Sequence, residues 1–156
     1  MVPINYLAVF LAALSSMVVG SVWYMPPTFG RLWMKYSGVR PNRSNMTLAK
    51  MGWMYGSVFI ASLVTAYVLA HVGYLANQYF HNGFMQDVLG AAFWLWLGFT
   101  AARLYVHDTF EDRRKKLTLL NAAHELATIL VMAVIIGAMG RPVHELRRCP
   151  AEPAGR

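Results

Sequence analysis

Hydrophobic stretches of about twenty residues alternate with short polar segments along most of the chain. A helix advances about 1.5 Å per residue, so about 20 apolar residues cross the roughly 30 Å hydrocarbon core of a bilayer. The pattern therefore predicts an all-α fold, a single four-helix transmembrane bundle over residues 1–140. Its spans are expected at about 4–24, 51–71, 84–105 and 117–139.

The third span is less regular than the other three. Asp87 and Arg103 are too close in sequence for the apolar residues between them to cross the hydrocarbon. We therefore extend this span over 84–105. Asp87 is expected at one interface, and Arg103 is expected to reach toward the other interface or to pair inside the bundle.

The polar connections contain residues that end helices. Pro26 and Pro27 follow the first stretch, Asn82-Gly83 precedes the third, and the charged segment 111–116 precedes the fourth. A cleavable signal peptide is the alternative for the first stretch, but its basic start is absent and the run is long. The segment 141–156 carries three prolines and little apolar character, which predicts a mobile polar tail.

Composition and charge support membrane insertion rather than nucleic-acid binding. The chain is 57% hydrophobic and 13% charged, with a net charge of +7, whereas a soluble domain is about 25% charged. The basic residues lie mainly in the first and third connections, which predicts that these two face the cytoplasm and both termini lie outside. Four arginines in the tail oppose this orientation. The expected location is a bacterial inner membrane.

A short amphipathic segment follows the first span. Phe29, Leu32, Trp33 and Tyr36 have the spacing of one helical face between Thr28 and Tyr36. Aromatic rings favour the headgroup region, so this helix is expected to lie flat and anchor the first span. A gate or a partner-docking element is the alternative.

Small residues recur at four-residue intervals on two spans. The candidate helix-packing positions are Ala8, Ala12, Ser16, Gly20, Gly52 and Gly56. Small side chains let helices approach closely within lipid. Packing inside one bundle is the simpler interpretation, and association with another subunit is the alternative.

A polar stripe interrupts the fourth span. Asn121, His124, Glu125 and Thr128 share one helical face, and a carboxylate in the membrane is expected to face protein or water. A buried ion pair between Glu125 and Arg103 is the structural hypothesis. The stripe is consistent with a structural clasp, a proton or ion relay, or a metal or tetrapyrrole site.

No motif in the sequence indicates an enzyme. Phosphate-binding loops, GxSxG, HExxH and CxxC are absent, and Cys149 is the single cysteine. We expect no cofactor, and we expect partners to be lipid, further copies of the chain or a larger membrane complex. The leading functional hypothesis is a non-enzymatic accessory or scaffolding subunit that acts through transmembrane helix contacts. The alternatives are a small oligomeric transport or proton-handling protein and a cofactor-binding subunit of a respiratory or photosynthetic complex.

Two groups of residues resemble a known family. The first comprises segment 4–9 (INYLAV), Gly20, segment 23–24 (WY), Pro26, segment 29–30 (FG) and segment 33–34 (WM); the second comprises segment 110–111 (FE), Asn121 and His124. Together they are similar to the small bacterial membrane proteins grouped as domain of unknown function 1761. The resemblance covers most of the chain up to about Gly137. It implies a four-helix membrane fold and supplies no activity.

Overall fold

The computed structural model describes residues 4–39 and 47–140. Within these two stretches the backbone forms helices joined by turns and contains no strand, which confirms the all-α class. Four helical segments are long and apolar enough to cross a membrane. The predicted tail, 141–156, lies outside the described residues.

The helices are numbered in chain order. They are α1 (Tyr6–Trp23), α2 (Arg31–Ser37), α3 (Leu48–Phe80), α4 (Phe84–Leu95), α5 (Ala102–Phe110) and α6 (Lys115–Met139). A wide helical turn, Trp96–Ala101, joins α4 to α5, so the two form one span of Phe84–Phe110.

Two spans are longer than the sequence pattern predicted. The second was expected to end near residue 71, but α3 continues to Phe80 because no proline or charged residue interrupts it. His81 ends the helix with a left-handed backbone (φ 56°), and its N–H donates to the carbonyl of Asn77. The third span continues past residue 105 to Phe110. The connection between the second and third spans is therefore a tight turn.

Contacts at the helix ends define an up-and-down bundle. Asn5 accepts hydrogen bonds from the first-turn N–H groups of Leu7 and Ala8, and its Nδ2 donates to the carbonyl of Met139 at 3.0 Å. The start of α1 therefore lies beside the end of α6. The ring of Phe84 lies against Gly140, which places the start of α4 at this same end.

Apolar side chains fill the half of the bundle that contains the C-terminal part of α3. The buried cluster comprises Val9, Ala12, Ala13, Ala66, Leu69, Ala70, Phe84, Val88, Ala92, Ile129, Met132, Ala133 and Ile136. A β-carbon at Gly73 would lie 2.7 Å from Cγ2 of Val88, so α3 and α4 approach closely here. The α3 residues buried in this bundle begin at Ala66. The first turns of α3, up to about Val58, are mostly exposed, and Trp53 is 81% exposed.

Asp87 and Asn77 connect α3 to α4 at the turn between them. Nδ2 of Asn77 donates to Oδ2 of Asp87 at 2.8 Å, and Nδ2 of Asn82 donates to Oδ1 at 3.2 Å. Whether Asp87 lies at a membrane interface stays a prediction, and its side chain is buried within the protein. The reason is that the tight turn folds both amides onto the carboxylate.

Candidate functional site

The chain leaves α1 through a kink that depends on a glycine. Thr28 has a non-helical backbone (φ −95°, ψ −111°), and its Oγ1 donates to the carbonyl of Trp23 at 2.9 Å. A β-carbon on Gly30 would lie 2.3 Å from the carbonyl oxygen of Tyr24 and 2.7 Å from that of Met25. Only glycine fits such a contact with backbone atoms, so Gly30 sets the path into α2.

This kink corrects the predicted interfacial helix. It was expected to begin at Thr28, but α2 begins at Arg31 because Thr28 bonds back to α1. Phe29 consequently lies in the kink, with its ring 4.5 Å from that of Trp23. Leu32 is exposed, and Trp33 and Tyr36 are half-buried. Whether these four residues anchor the protein at the interface stays a prediction.

His124 lies at the centre of an aromatic cluster below the kink. Its ring centroid is 4.9 Å from that of Tyr24 and 5.8 Å from that of Trp23. Gly20 of α1 leaves space for this imidazole, because a β-carbon there would lie 3.6 Å from Nε2. Nδ1 of His124 is 3.4 Å from Oε1 of Glu125. Nε2 is buried and has no hydrogen-bond partner among the residues described.

The rest of the polar stripe continues along the same side of α6. The hydroxyl of Tyr24 donates to Oδ1 of Asn121 at 3.5 Å, at the long limit for a hydrogen bond. Thr128 is 8% exposed, and its Oγ1 is buried without a partner in the described part of the chain. Two polar atoms of α6 are therefore buried and unsatisfied close to one another in sequence. Such groups are costly unless a water or ligand bonds to them.

The predicted ion pair between Arg103 and Glu125 is wrong. Within residues 4–39 and 47–140, no ion pair of 4 Å or less joins the two side chains, and both are exposed. Glu125 lies beside His124 instead. Arg103 makes no hydrogen bond or ion pair with the described residues.

Arg103 and Glu125 nevertheless line the same cleft. This main cleft has a volume of about 1030 Å³ and lies between α2, the N-terminal half of α3, α5 and α6; its lining residues are Tyr24, Gly30, Trp33, Met34, Met54, Val58, Phe99, Thr100, Arg103, Leu104, His107, Asn121 and Glu125. A side cleft of about 600 Å³ continues toward Ser16, His124 and Thr128. Tyr24, Met54, Val58 and Glu125 line both clefts. The two clefts therefore adjoin, and together they are called the recess.

The predicted helix-packing residues divide into two groups. Ala8, Ala12 and Ser16 are buried within this bundle, and Oγ of Ser16 donates to Oγ of Ser62 at 2.8 Å. The ladder on α1 therefore packs against α3 and α6. On α3 the GxxxG pair is exposed, because a β-carbon at either glycine would meet nothing within 4 Å in the described structure.

Trp96 links the third span to α6, a role that the sequence pattern does not predict. Its Nε1 donates to the carbonyl of Ala122 on α6 at 2.9 Å. Trp96 is also the first residue of the wide helical turn that joins α4 to α5. The sequence offers no proline or polar break at this point, and a tryptophan inside an apolar span looks like any lipid-facing ring. Only the position of the neighbouring helix identifies its role.

The sequence of this chain matches a protein family over most of its length. The sequence model of a family described as "Protein of unknown function (DUF1761)" matches residues 7–137. The chain belongs to the DUF1761 family. This confirms the resemblance noted in the sequence. No curated protein and no solved structure matches the chain.

Several of the residues that carry the DUF1761 resemblance meet in space around the recess. Trp23 and Tyr24 flank His124, and the ring of Tyr24 lies 5.7 Å from that of Trp33. Asn121 contacts Tyr24 from α6. Members of both groups, far apart in sequence, thus lie together where the kink meets α6, whereas segment 4–9 lies at the opposite end of the bundle.

Proposed function

We propose that this protein is a non-enzymatic accessory protein of the membrane that binds an amphipathic molecule in the recess. The observation that supports this most is the recess itself: apolar side chains form most of the main cleft, and His124 and Thr128 lie along the side cleft. Binding sites for small molecules are concave and mostly apolar, with a few polar groups, and have volumes of about 300–1,000 Å³. The main cleft reaches the upper end of this range.

The position of the apolar cluster favours binding over transport. The recess lies at the end of the bundle where α1 ends and α6 begins. The buried side chains of Leu69, Val88 and Met132 lie between this end and the Asn77–Asp87 turn. A proton or ion relay needs a chain of polar groups across the membrane. The described core interrupts such a chain with apolar side chains, which supports a site open from one end only.

Val58→Phe tests this proposal because Val58 lines both clefts. We expect the larger ring to fill the junction and weaken binding of a long-chain amphiphile at least about tenfold, which corresponds to about 1.4 kcal/mol. Val64→Phe is the matched control, since the two valines are exposed on one helix to similar extents, 51% and 59%, and Val64 does not line either cleft. Bound amphiphile is counted by native mass spectrometry after delipidation.

Two results of this measurement contradict the proposal. One is equal binding by the wild-type protein, Val58→Phe and Val64→Phe. The other is equal weakening by both substitutions, which means that the amphiphile coats the outer surface of α3. Far-ultraviolet circular dichroism confirms that each variant remains helical before binding is compared.

Helix contacts with another subunit are the second candidate, favoured by the exposed glycines on α3. Gly52 and Gly56 have open space where a β-carbon would lie, and GxxxG surfaces allow close approach of two helices in lipid. We expect Gly52→Leu to shift purified protein from oligomer to monomer. Gly90→Leu is the control, because Gly90 is also exposed and unobstructed but lies on α4. A monomeric wild-type protein, or oligomers that survive Gly52→Leu, would contradict this candidate.

The proposed orientation places the mouth of the recess at the cytoplasmic face of a bacterial inner membrane. Support comes from the basic residues at this end, which include Arg31, Lys35, Lys50 and the segment 113–116. Cys149 is the single cysteine, so it serves as a reporter of the C-terminal side. We expect a membrane-impermeant maleimide to label Cys149 in intact cells. In the variant Cys149→Ala/Asp112→Cys, we expect labelling only after lysis, and the reverse pattern would invert the topology.

A further inference from the structure

We propose that the occupant of the recess is an anionic membrane lipid, with its phosphate held at Arg103 and one acyl chain lying in the main cleft. This inference rests on the proposed binding function and adds the chemical class of the ligand. Three features of the structure support this inference. Arg103 has no described partner, apolar side chains line the same cleft, and basic residues are in excess around the mouth of the cleft.

Arg103 has no anion within ion-pair distance among the described residues. It lies on α5 about two turns from the end of that helix and lines the main cleft. Arg113, at the same end of the bundle, lies 2.5 Å from Glu111 and 3.8 Å from Asp108. A guanidinium presents planar, paired donors that match a phosphate. Arg103 is therefore the group in the cleft best able to hold one.

The groove beside Arg103 has the chemistry of an acyl-chain site. Six apolar side chains from α2, α3, α5 and the wide turn form its walls: Trp33, Met34, Met54, Val58, Phe99 and Leu104. Methionine adapts to irregular apolar shapes, which suits a flexible chain. His107 lies one turn nearer the end of α5 than Arg103 and also lines the cleft. Polar groups of α5 and apolar side chains thus line the same cleft.

The charges around the mouth favour an anion over a cation. Arg114 extends toward α2, where its Nη1 donates to the carbonyl of Lys35 at 3.4 Å. Of the nearby acids, Asp108 accepts a hydrogen bond from Thr118 and Glu111 pairs with Arg113. Glu125 lies deeper along α6 beside His124. Basic pockets between transmembrane helices are recognised binding sites for anionic headgroups, and a zwitterionic headgroup would lose part of this attraction.

The test compares two lipids with identical acyl chains. Delipidated full-length protein is mixed with phosphatidylglycerol or phosphatidylcholine, and bound lipid is counted by native mass spectrometry. We expect phosphatidylglycerol to bind about tenfold more tightly. Arg103→Gln should remove most of this preference, and Arg103→Lys should retain part of it. Lys116→Gln is the charge-matched control, because Lys116 is exposed at the same end but does not line the cleft.

Other outcomes show whether the anionic headgroup, the binding function or the role of Arg103 is wrong. If the two lipids bind equally and both are lost in Val58→Phe, the binding function stands and the anionic headgroup is wrong. If Val58→Phe binds both lipids normally, the binding function fails, and this inference fails with it. A preference that Lys116→Gln reduces as much as Arg103→Gln means general surface attraction. Displacement of the lipid by an equal concentration of oleate means that a free fatty acid is the ligand.

Discussion

Replacement of Gly30 by alanine should destabilise the folded protein by about 2–3 kcal/mol, the cost of forcing atoms into a packed site. The added methyl group would lie 2.3 Å and 2.7 Å from the carbonyl oxygens of Tyr24 and Met25. Both obstacles are backbone atoms, so no rotation of a side chain relieves the contact. The chain must instead open the kink, which moves α2 and separates Trp33 from Tyr24.

The matched control for this prediction has the opposite sign. Gly90 is exposed in the middle of α4, and a β-carbon there meets nothing within 4 Å of described structure. Alanine favours a helix over glycine by about 1 kcal/mol, so Gly90→Ala should be neutral or stabilising. Unfolding by sodium dodecyl sulfate in mixed micelles, followed by circular dichroism, measures both variants. Equal stability of Gly30→Ala and the wild-type protein would show that the kink does not require glycine.

Replacement of Asp87 by alanine should cost about 2–3 kcal/mol of stability, because hydrogen bonds to charged groups contribute about 1.5–3 kcal/mol each. The carboxylate accepts from Asn77 at 2.8 Å and from Asn82 at 3.2 Å. Asn77 is fully buried, so its amide loses a partner in a place that water reaches poorly. We expect the turn between α3 and α4 to loosen.

Two further variants separate the effect of the lost hydrogen bonds from a general effect at this turn. Asp87→Asn keeps the shape but replaces one acceptor with a donor, so we expect an intermediate loss of stability. Gln86→Ala, at the exposed neighbouring position on α4, should change stability by less than about 0.5 kcal/mol. Hydrogen exchange of the amides near residue 80 reports loosening of the turn. A loss of stability in Gln86→Ala as large as in Asp87→Ala would contradict the account.

The length and polarity of the apolar stretches were sufficient to predict the helical class and the four segments able to span a membrane. The largest difference between predicted and observed spans is at the C-terminal end of α3, which was expected near residue 71 and lies at Phe80. Residues 72–80 look like a connection because Tyr and Asn replace aliphatic residues, yet no residue there stops a helix. The left-handed His81 ends it instead, and a histidine in that conformation has no sequence signature.

The candidate site was only partly predictable for a different physical reason. Helical spacing placed Asn121, His124, Glu125 and Thr128 on one side of α6, and this requires no knowledge of neighbouring helices. Whether Arg103 and Glu125 form an ion pair depends on the distance of α3 from α5 and α6. That distance opens a recess in which both side chains are exposed, and no pattern within one helix encodes it.

Photolabelling with a diazirine placed at the end of a long-chain amphiphile tests the central claim, that the recess holds an amphipathic molecule. The labelled residues are identified by mass spectrometry of peptides. The account predicts labels at cleft residues such as Trp33, Met34 and Met54, with loss of these labels in Val58→Phe and retention in Val64→Phe. Labels confined to outward-facing residues such as Leu119 and Val134, unchanged by Val58→Phe, would contradict it.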